Sequence, residues 1–226
     1  MYHPTDRGSL RPKMAELEEK PQETDTARKR GRPKTHSDDE RRAFIADVAR
    51  RTFVDLGYAG TTTDIVATYC RISKQTLYRL FSTKSALFLA AVASHRQMML
   101  ALPRPEKEEG SLQDVLERIF MIDLDDEGYR EREAFIHVVM RDSARVPELA
   151  EILRKEGIER SRDSLADWLK GQAAAGRLVL DDPQSGARML MDMIFGGMRP
   201  GWLSREARRD HLRRCIRIFA RGVSPT

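Results

Sequence analysis

The sequence has little cysteine and no long apolar run. Its two cysteines, Cys70 and Cys215, stand far apart and form no Cys-x-x-Cys pair. That spacing argues against a disulfide framework or a zinc site and agrees with a reducing compartment. No apolar stretch approaches the ~18–20 residues that a bilayer-crossing helix needs. The first residues, MYHPTDRGSL, hold no apolar core of a secretory signal. A soluble, intracellular protein with no membrane partner is expected.

Catalytic signatures are missing as well. There is no Gly-x-Ser-x-Gly, no Walker loop, no His-Glu-x-x-His and no dinucleotide fingerprint. The run Asp123-Leu124-Asp125-Asp126-Glu127-Gly128 has the first half of an EF-hand loop. The loop also needs a bidentate glutamate at its last position, and that place holds Ala134. These acids are expected to form a solvated turn that complements the dipole of the next helix. No metal, no cofactor and no enzymatic activity are expected. β-alternation is also wanting, since residues 178–180 are too short a stretch to matter. The expected fold is all-α.

What is present is charge, unevenly placed. The formal net charge is +5 over 226 residues, and 40% of residues are hydrophobic, enough for a core at this size. Residues 1–36 are rich in proline, charge and small polar groups, so they cannot bury enough to offset their ordering entropy. They are expected to be a disordered basic arm. An acidic half around residues 16–23 precedes Arg28, Lys29, Arg30, Gly31, Arg32, Pro33 and Lys34. Such a run is either a solvated linker or an arm for a polyanion. Arg-Gly-Arg-Pro resembles the core of AT-hook peptides, which lay arginines in narrow minor grooves. The arm reading is preferred because the run stands just upstream of a helical pattern suited to DNA, at residues 61–84.

Residues 61–84, TTTDIVATYCRISKQTLYRLFSTK, organise the chain. They read as two short helices joined by a tight turn at Cys70-Arg71-Ile72, with another helix starting at the end. The first, residues 62–70, has Ile65, Val66 and Ala67 as inward candidates. The second starts at Ser73, whose hydroxyl can accept from the orphan backbone donors of the first turn. It turns Lys74, Gln75, Thr76, Tyr78 and Arg79 outward and Leu77 and Phe81 inward. Polar side chains on the exposed face of a capped helix after a tight turn suit a recognition helix in a major groove. Gln75 is the best base reader, because its amide both donates and accepts. Lys74 is assigned to a base or a phosphate, and Thr76 to a base methyl or a phosphate. Ser82 is predicted to cap the next helix, with Phe81 as a staple residue before it.

Upstream, Ser37 or Asp38 is predicted to cap a scaffold helix running to about Leu56. Ile45, Val48, Ala49, Thr52, Phe53 and Leu56 lie on one face with a 3.6 period, and Gly57 is the stop signal. The helix from Ser82 reads on to about Leu102, with an apolar side that includes Leu87, Phe88, Ala91, Val92 and His95. Pro103-Arg104-Pro105 stops it. His95 has two readings, a ligand or sensor group, or a packed and hydrogen-bonded core histidine. The second is the ordinary outcome. The rest of the chain reads as helices over residues 111–122, 127–145, 147–174, 183–195 and 204–223. Arg141 and Asp142 are adjacent in the second of these and are expected to pair. The methionine-rich stretch 189–198 suits a core or dimer-interface helix, and methionine also suits adaptable binding surfaces.

The run ISKQTLYRLFSTKSALF resembles the helix-turn-helix signature of the TetR family of bacterial transcriptional regulators. Tyr78, Phe81 and Lys84 stand after the turn at that family's spacing. The resemblance extends back through FVDLGYAGTTTDIVA, where Phe53, Gly57, Tyr58, Thr62 and Ala67 fall on family positions, and covers residues 42–92. The family commonly has glycine in the turn where this chain has Arg71, which bears on turn geometry because glycine tolerates positive φ. Arg145–Leu149 and Gly176–Pro183 are similar to pieces of the AefR-like subgroup.

The resemblance implies a helix-turn-helix DNA-binding domain of three helices over residues 37–84. It also implies a helical ligand-binding and dimerisation domain over residues 85–226. Thr62, Tyr78, Ser82 and Lys84 are carried over as phosphate-positioning groups, which fix orientation rather than sequence. The implied partners are an operator in double-stranded DNA, a second copy of the chain and a small effector. Phe120, Phe135, Val139, Met140, Trp168 and Met193 are the expected pocket. Leu212, Cys215, Ile216 and Phe219, at i, i+3, i+4 and i+7, are the expected dimer stripe. The implied location is the bacterial cytoplasm, at the nucleoid. The rival readings are an architectural DNA-binding protein working through the arm, and a cytosolic helical enzyme or carrier.

Overall fold

The computed structural model describes residues 37–105, 108–197 and 204–225. Arg28, Lys29, Arg30 and Arg32 lie outside the described residues, and so does the arm they belong to. Among the described residues every regular element is helical. In chain order they are α1 (Asp38–Gly60), α2 (Thr63–Tyr69), α3 (Lys74–Leu80), α4 (Lys84–Met99), α5 (Leu112–Ile119) and α6 (Asp126–Ser143). After α7 (Pro147–Ile152) come a π-helical segment (Leu153–Glu159), α8 (Arg160–Ala174), α9 (Pro183–Gly197) and α10 (Arg205–Gly222).

Local chemistry sets most of the boundaries. Ser37 caps α1 in a reciprocal box with Glu40. Thr62, Ser73, Ser111, Asp125 and Ser204 cap α2, α3, α5, α6 and α10 through their side-chain oxygens. Each such cap stabilises its helix by about 1 kcal/mol. The cap of α4 is Thr83 rather than Ser82: Thr83 Oγ1 accepts from Ala86 N at 3.0 Å. Phe81 is extended and buried, so the chain uses both Ser82 and Thr83 to leave the core before the helix begins.

Two apolar cores form. One gathers Ile45, Ala49 and Phe53 of α1, Val66 of α2, Leu77 of α3, and Leu87, Phe88 and Val92 of α4. It also takes Phe135 and Val139 of α6, Leu149 of α7 and Leu153, so the core of the first four helices continues into the second half of the chain. The other core joins α5, α8, α9 and α10 through Leu116, Phe120, Leu165, Leu190 and Ile194. Leu212, Ile216 and Phe219 are buried inside this second core, and Cys215 packs against it. The expected dimer stripe is therefore consumed within the subunit. An i, i+3, i+4, i+7 pattern identifies an apolar face, but it does not say what that face meets.

The predicted helix over residues 147–174 is helical throughout but passes through the π-helical segment. Gly157 lies in that segment, and a Cβ there would stand 3.4 Å from Val92 Cγ1 and 3.1 Å from Leu153 Cδ1. The close approach to α4 is what a side chain would disturb. The 3.6 pattern carries no sign of the extra residue per turn. π-Segments of this kind are frequent at functional sites.

Candidate nucleic-acid interface and adjoining cavity

α2 and α3 meet through the turn at Arg71, which adopts φ 54°. A left-handed conformation is reached there by a non-glycine residue, in keeping with the departure from the family pattern at this position. Arg71 N donates to Thr68 O at 3.0 Å and Ile72 N to Ala67 O at 3.1 Å. These bonds hold the turn closed despite the strain, which is of order 1–3 kcal/mol for such a residue.

α3 anchors itself by burying Leu77 and Leu80 and leaves Lys74, Gln75, Tyr78 and Arg79 exposed. Thr76 is half-buried: its hydroxyl lies 2.8 Å from Ser73 Oγ, which also caps its backbone N–H. Tyr78 Oη is 2.8 Å from Thr63 Oγ1, tying α3 to α2. Two of the cations are held by carboxylates. Lys74 Nζ donates to Asp64 Oδ2 at 2.6 Å, and Arg79 grips both oxygens of Asp38 at 2.7 and 2.9 Å. The Arg79 hydrogen bond lowers the Asp38 pKa, and the Asp64 hydrogen bond raises that of Lys74. Ser82 is exposed. Lys84 is half-buried, with Nζ 4.3 Å from the centre of the Tyr58 ring and 3.5 Å from Ala59 O, and burial lowers its pKa.

The same ring leads into the second half of the chain. Gly57 breaks α1 with φ 71°, a conformation glycine adopts without penalty. The break frees the N–H of Tyr58, which donates to Asp142 Oδ2 of α6 at 2.6 Å. A Cβ at position 57 would meet Asp142 Oδ2 at 3.1 Å, so both conformation and space call for glycine. Arg141 and Asp142 do pair, at 2.8 Å. That pairing first, and the Tyr58 N–H next, hold the Asp142 carboxyl below its usual pKa. Arg50 supplies a second link. Buried on α1, it reaches Glu131 of α6 at 2.6 Å and Asp47 at 3.0 Å. Sequence reasoning misses both links, and only the position of Arg50 beside Ala49 and Phe53 on the inward face hints at one.

A cavity of about 520 Å³ lies between α4, α6, the π-helical segment, the start of α8 and α9. Its walls are mainly apolar and include Val92, Met99, Ile136, Leu153 and Ile158. His95, Arg96 and Arg162 add polar groups. Met140 borders it and is exposed. The other expected pocket residues lie elsewhere. Phe120 is closed within the second core and Met193 packs against it. Phe135 and Val139 are closed within the first. Trp168 lines separate, more polar cavities. Apolar residues are visible in a sequence, but which apolar faces fail to meet is not.

Residues 45–91 match the family described as bacterial regulatory proteins, tetR family, and residues 112–222 match the AefR-like transcriptional repressor, C-terminal domain. The HTH-type transcriptional activator FasR of Mycolicibacterium smegmatis (strain ATCC 700084 / mc(2)155) is 34% identical over 98 residues. That match covers 41% of this chain and 45% of FasR, so the chain spans less than half the length of this curated relative. A TetR-family transcriptional regulator from Mesorhizobium loti MAFF303099 superposes with TM-score 0.60 at 22% identity, covering 84% of this chain and 100% of the other. The flavonoid-responsive regulator FrrA gives TM-score 0.55 at 25% identity, covering 82% and 98%. TylP, a TetR regulator from Streptomyces fradiae, gives 0.63 at 20%, covering 84% and 89%.

Proposed function

The chain belongs to the TetR family of bacterial regulatory proteins, and on that premise we propose that it is a ligand-responsive, sequence-specific repressor acting as a homodimer on a palindromic operator. The observation that carries the reading is α3 itself. Ser73 caps it, Leu77 and Leu80 fix it, and Gln75 stands exposed on the outer face. Gln75 reads a base edge. Lys74, Tyr78, Arg79, Thr62, Ser82 and Lys84 position the backbone, with Asp64 and Asp38 giving way to phosphates. Residues 1–36 add sequence-independent affinity through Arg28, Lys29, Arg30 and Arg32, so deleting them flattens the salt dependence of binding.

The effector occupies the cavity, whose walls belong to α4 and α6. α6 ends on Tyr58 N through Asp142, and α4 begins with Lys84 against the Tyr58 ring. Moving these helices apart would tilt α1 to α3. The recognition helices of the dimer then no longer match successive major grooves, ~34–36 Å apart. Such an effect requires the effector to prefer one pose, with a coupling of ~1–3 kcal/mol. The description of FrrA as flavonoid-responsive supports an effector-binding domain. The dimer uses the outer faces of α9 and α10, where Met189 and Ile218 are exposed.

FasR is described as an activator, which favours a second reading in which DNA-bound protein recruits transcription. Selection of bound sequences from a random pool, followed by a reporter carrying the selected site, tests both. Enrichment of an inverted repeat supports the operator reading, and the sign of the reporter response separates repression from activation. Recovery of no preferred sequence contradicts it and favours an architectural role.

A further inference from the structure

His95 is 2% exposed, borders the apolar cavity, and has neither ring nitrogen paired with a protein group among the described residues. A buried polar group left this way is costly, because it has given up water without gaining a partner. Packing explains the position of the ring, 4.9 Å from that of Phe135, but not its two idle nitrogens. The site also has a sign. Arg96 and Arg162 stand on its lining, while burial first, and the guanidiniums of Arg50 and Arg132 next, hold His95 neutral, with its pKa pushed down to about 3. A neutral imidazole offers one N–H donor and one acceptor. Arg162, on the cavity wall, has a buried Nε–H with no partner among the described residues. Asp192 is the acidic group on the lining, and it is exposed at the mouth, 3.7 Å from Arg188.

We infer that the cavity takes an apolar molecule bearing a single carboxylate, with one oxygen accepting from the His95 ring N–H and the apolar body running toward Met140 and Ile158. The inference rests on the reading of this domain as an effector domain and names the class of effector. A hydrocarbon would leave the His95 nitrogens unpaired and gain nothing from Arg96 and Arg162 on the lining. A cation would meet Arg96 and Arg162 on the lining. An anion with one hydrogen-bonding head and a long apolar remainder pairs the His95 N–H, faces Arg96 and Arg162, and fills the apolar walls. Met140 and Ile158 on the lining are exposed and provide a way in.

The test uses the full-length chain, with decanoic acid and decan-1-ol as probes in isothermal titration. The acid is expected to bind about tenfold or more tightly than the alcohol, because a hydrogen bond to a charged group outweighs one to a neutral group. His95→Phe keeps an aromatic ring in place and is expected to erase that preference, weakening the acid more than the alcohol. His95→Gln keeps a donor and is expected to restore part of it. Thermal melts of both variants establish that they are folded. Equal binding of acid and alcohol, an acid preference that survives in His95→Phe, or no binding of either probe overturns the inference. Operator titration separates the two layers. Binding of the acid that depends on His95 yet leaves operator affinity unchanged upholds the site and removes the effector role. Operator release by a neutral compound, with no binding of the acid, overturns the inference and leaves the effector role standing.

Discussion

The carboxylate of Asp142 accepts the backbone N–H of Tyr58 at 2.6 Å, joining the end of α6 to the break that Gly57 makes in α1. The two residues are 84 positions apart in sequence. The contact spans the two halves of the chain, and α6 is also a wall of the cavity through Ile136 and Met140. It is a polar route from the α6 wall of the cavity to the helix-turn-helix.

Asp142→Ala is expected to cost about 1–3 kcal/mol of stability, the range for a hydrogen bond to a charged, partly buried group. Urea unfolding measures the loss. Operator titrations of the same variant, with and without effector, are expected to lie closer together than those of the wild type. An undiminished effector response would place the route through Arg50 and Glu131 instead.

The buried histidine makes a prediction about pH. Its folded pKa is about 3 against an ordinary value of 6.5. Between those values the unfolded chain binds a proton that the folded chain does not. Stability from this group is thus complete above the ordinary value and falls as pH drops through the window, by at most ~1.4 kcal/mol per unit. Urea melts across this range are expected to show the wild type losing stability relative to His95→Phe as the medium is acidified. Carboxylates titrate in both proteins and cancel in the difference. Parallel curves for the two would mean that His95 takes up its proton in the folded state.

On α10, Ile218 is 68% exposed whereas Phe219, its neighbour, is 7% exposed. Ile218→Asp is expected to give folded monomers in sedimentation, and Phe219→Asp to lose helical content by circular dichroism. A dimer that survives Ile218→Asp would move the interface off this face.

Asp64 occupies Lys74 in the absence of DNA. Asp64→Asn removes a negative charge from a surface that must meet phosphates. Affinity for operator and for random DNA is expected to rise together in filter binding. An increase confined to the operator would make Lys74 a base reader.

The local features of this fold are legible in the sequence. The caps at Ser37 and Ser73 and the break at Gly57 are encoded within a few residues, and so is the inward set Ile45, Ala49, Phe53 and Leu77, whereas Thr62, read as the first helical residue, is the cap of α2. What is not legible depends on partners distant in sequence. Arg50 stands beside the inward Ala49 and Phe53, but its partner Glu131, 81 positions away, is set only by the fold. Periodicity places His95 on an apolar face, but that its nitrogens go unpaired is a property of the assembled cavity. The dimer stripe shows the same limit, because Leu212, Ile216 and Phe219 satisfy their pattern inside one subunit. Of the pocket residues, Met140 alone borders the apolar cavity, since a cavity is defined by faces that do not touch.

Sequence reading by α3 through Gln75 is tested by a paired titration. Wild type and Gln75→Ala are titrated against the selected operator and against random duplex at one fixed salt concentration. A loss of ~1–3 kcal/mol is expected on the operator, with random-duplex binding nearly unchanged. An equal loss on both, or none on either, would contradict it.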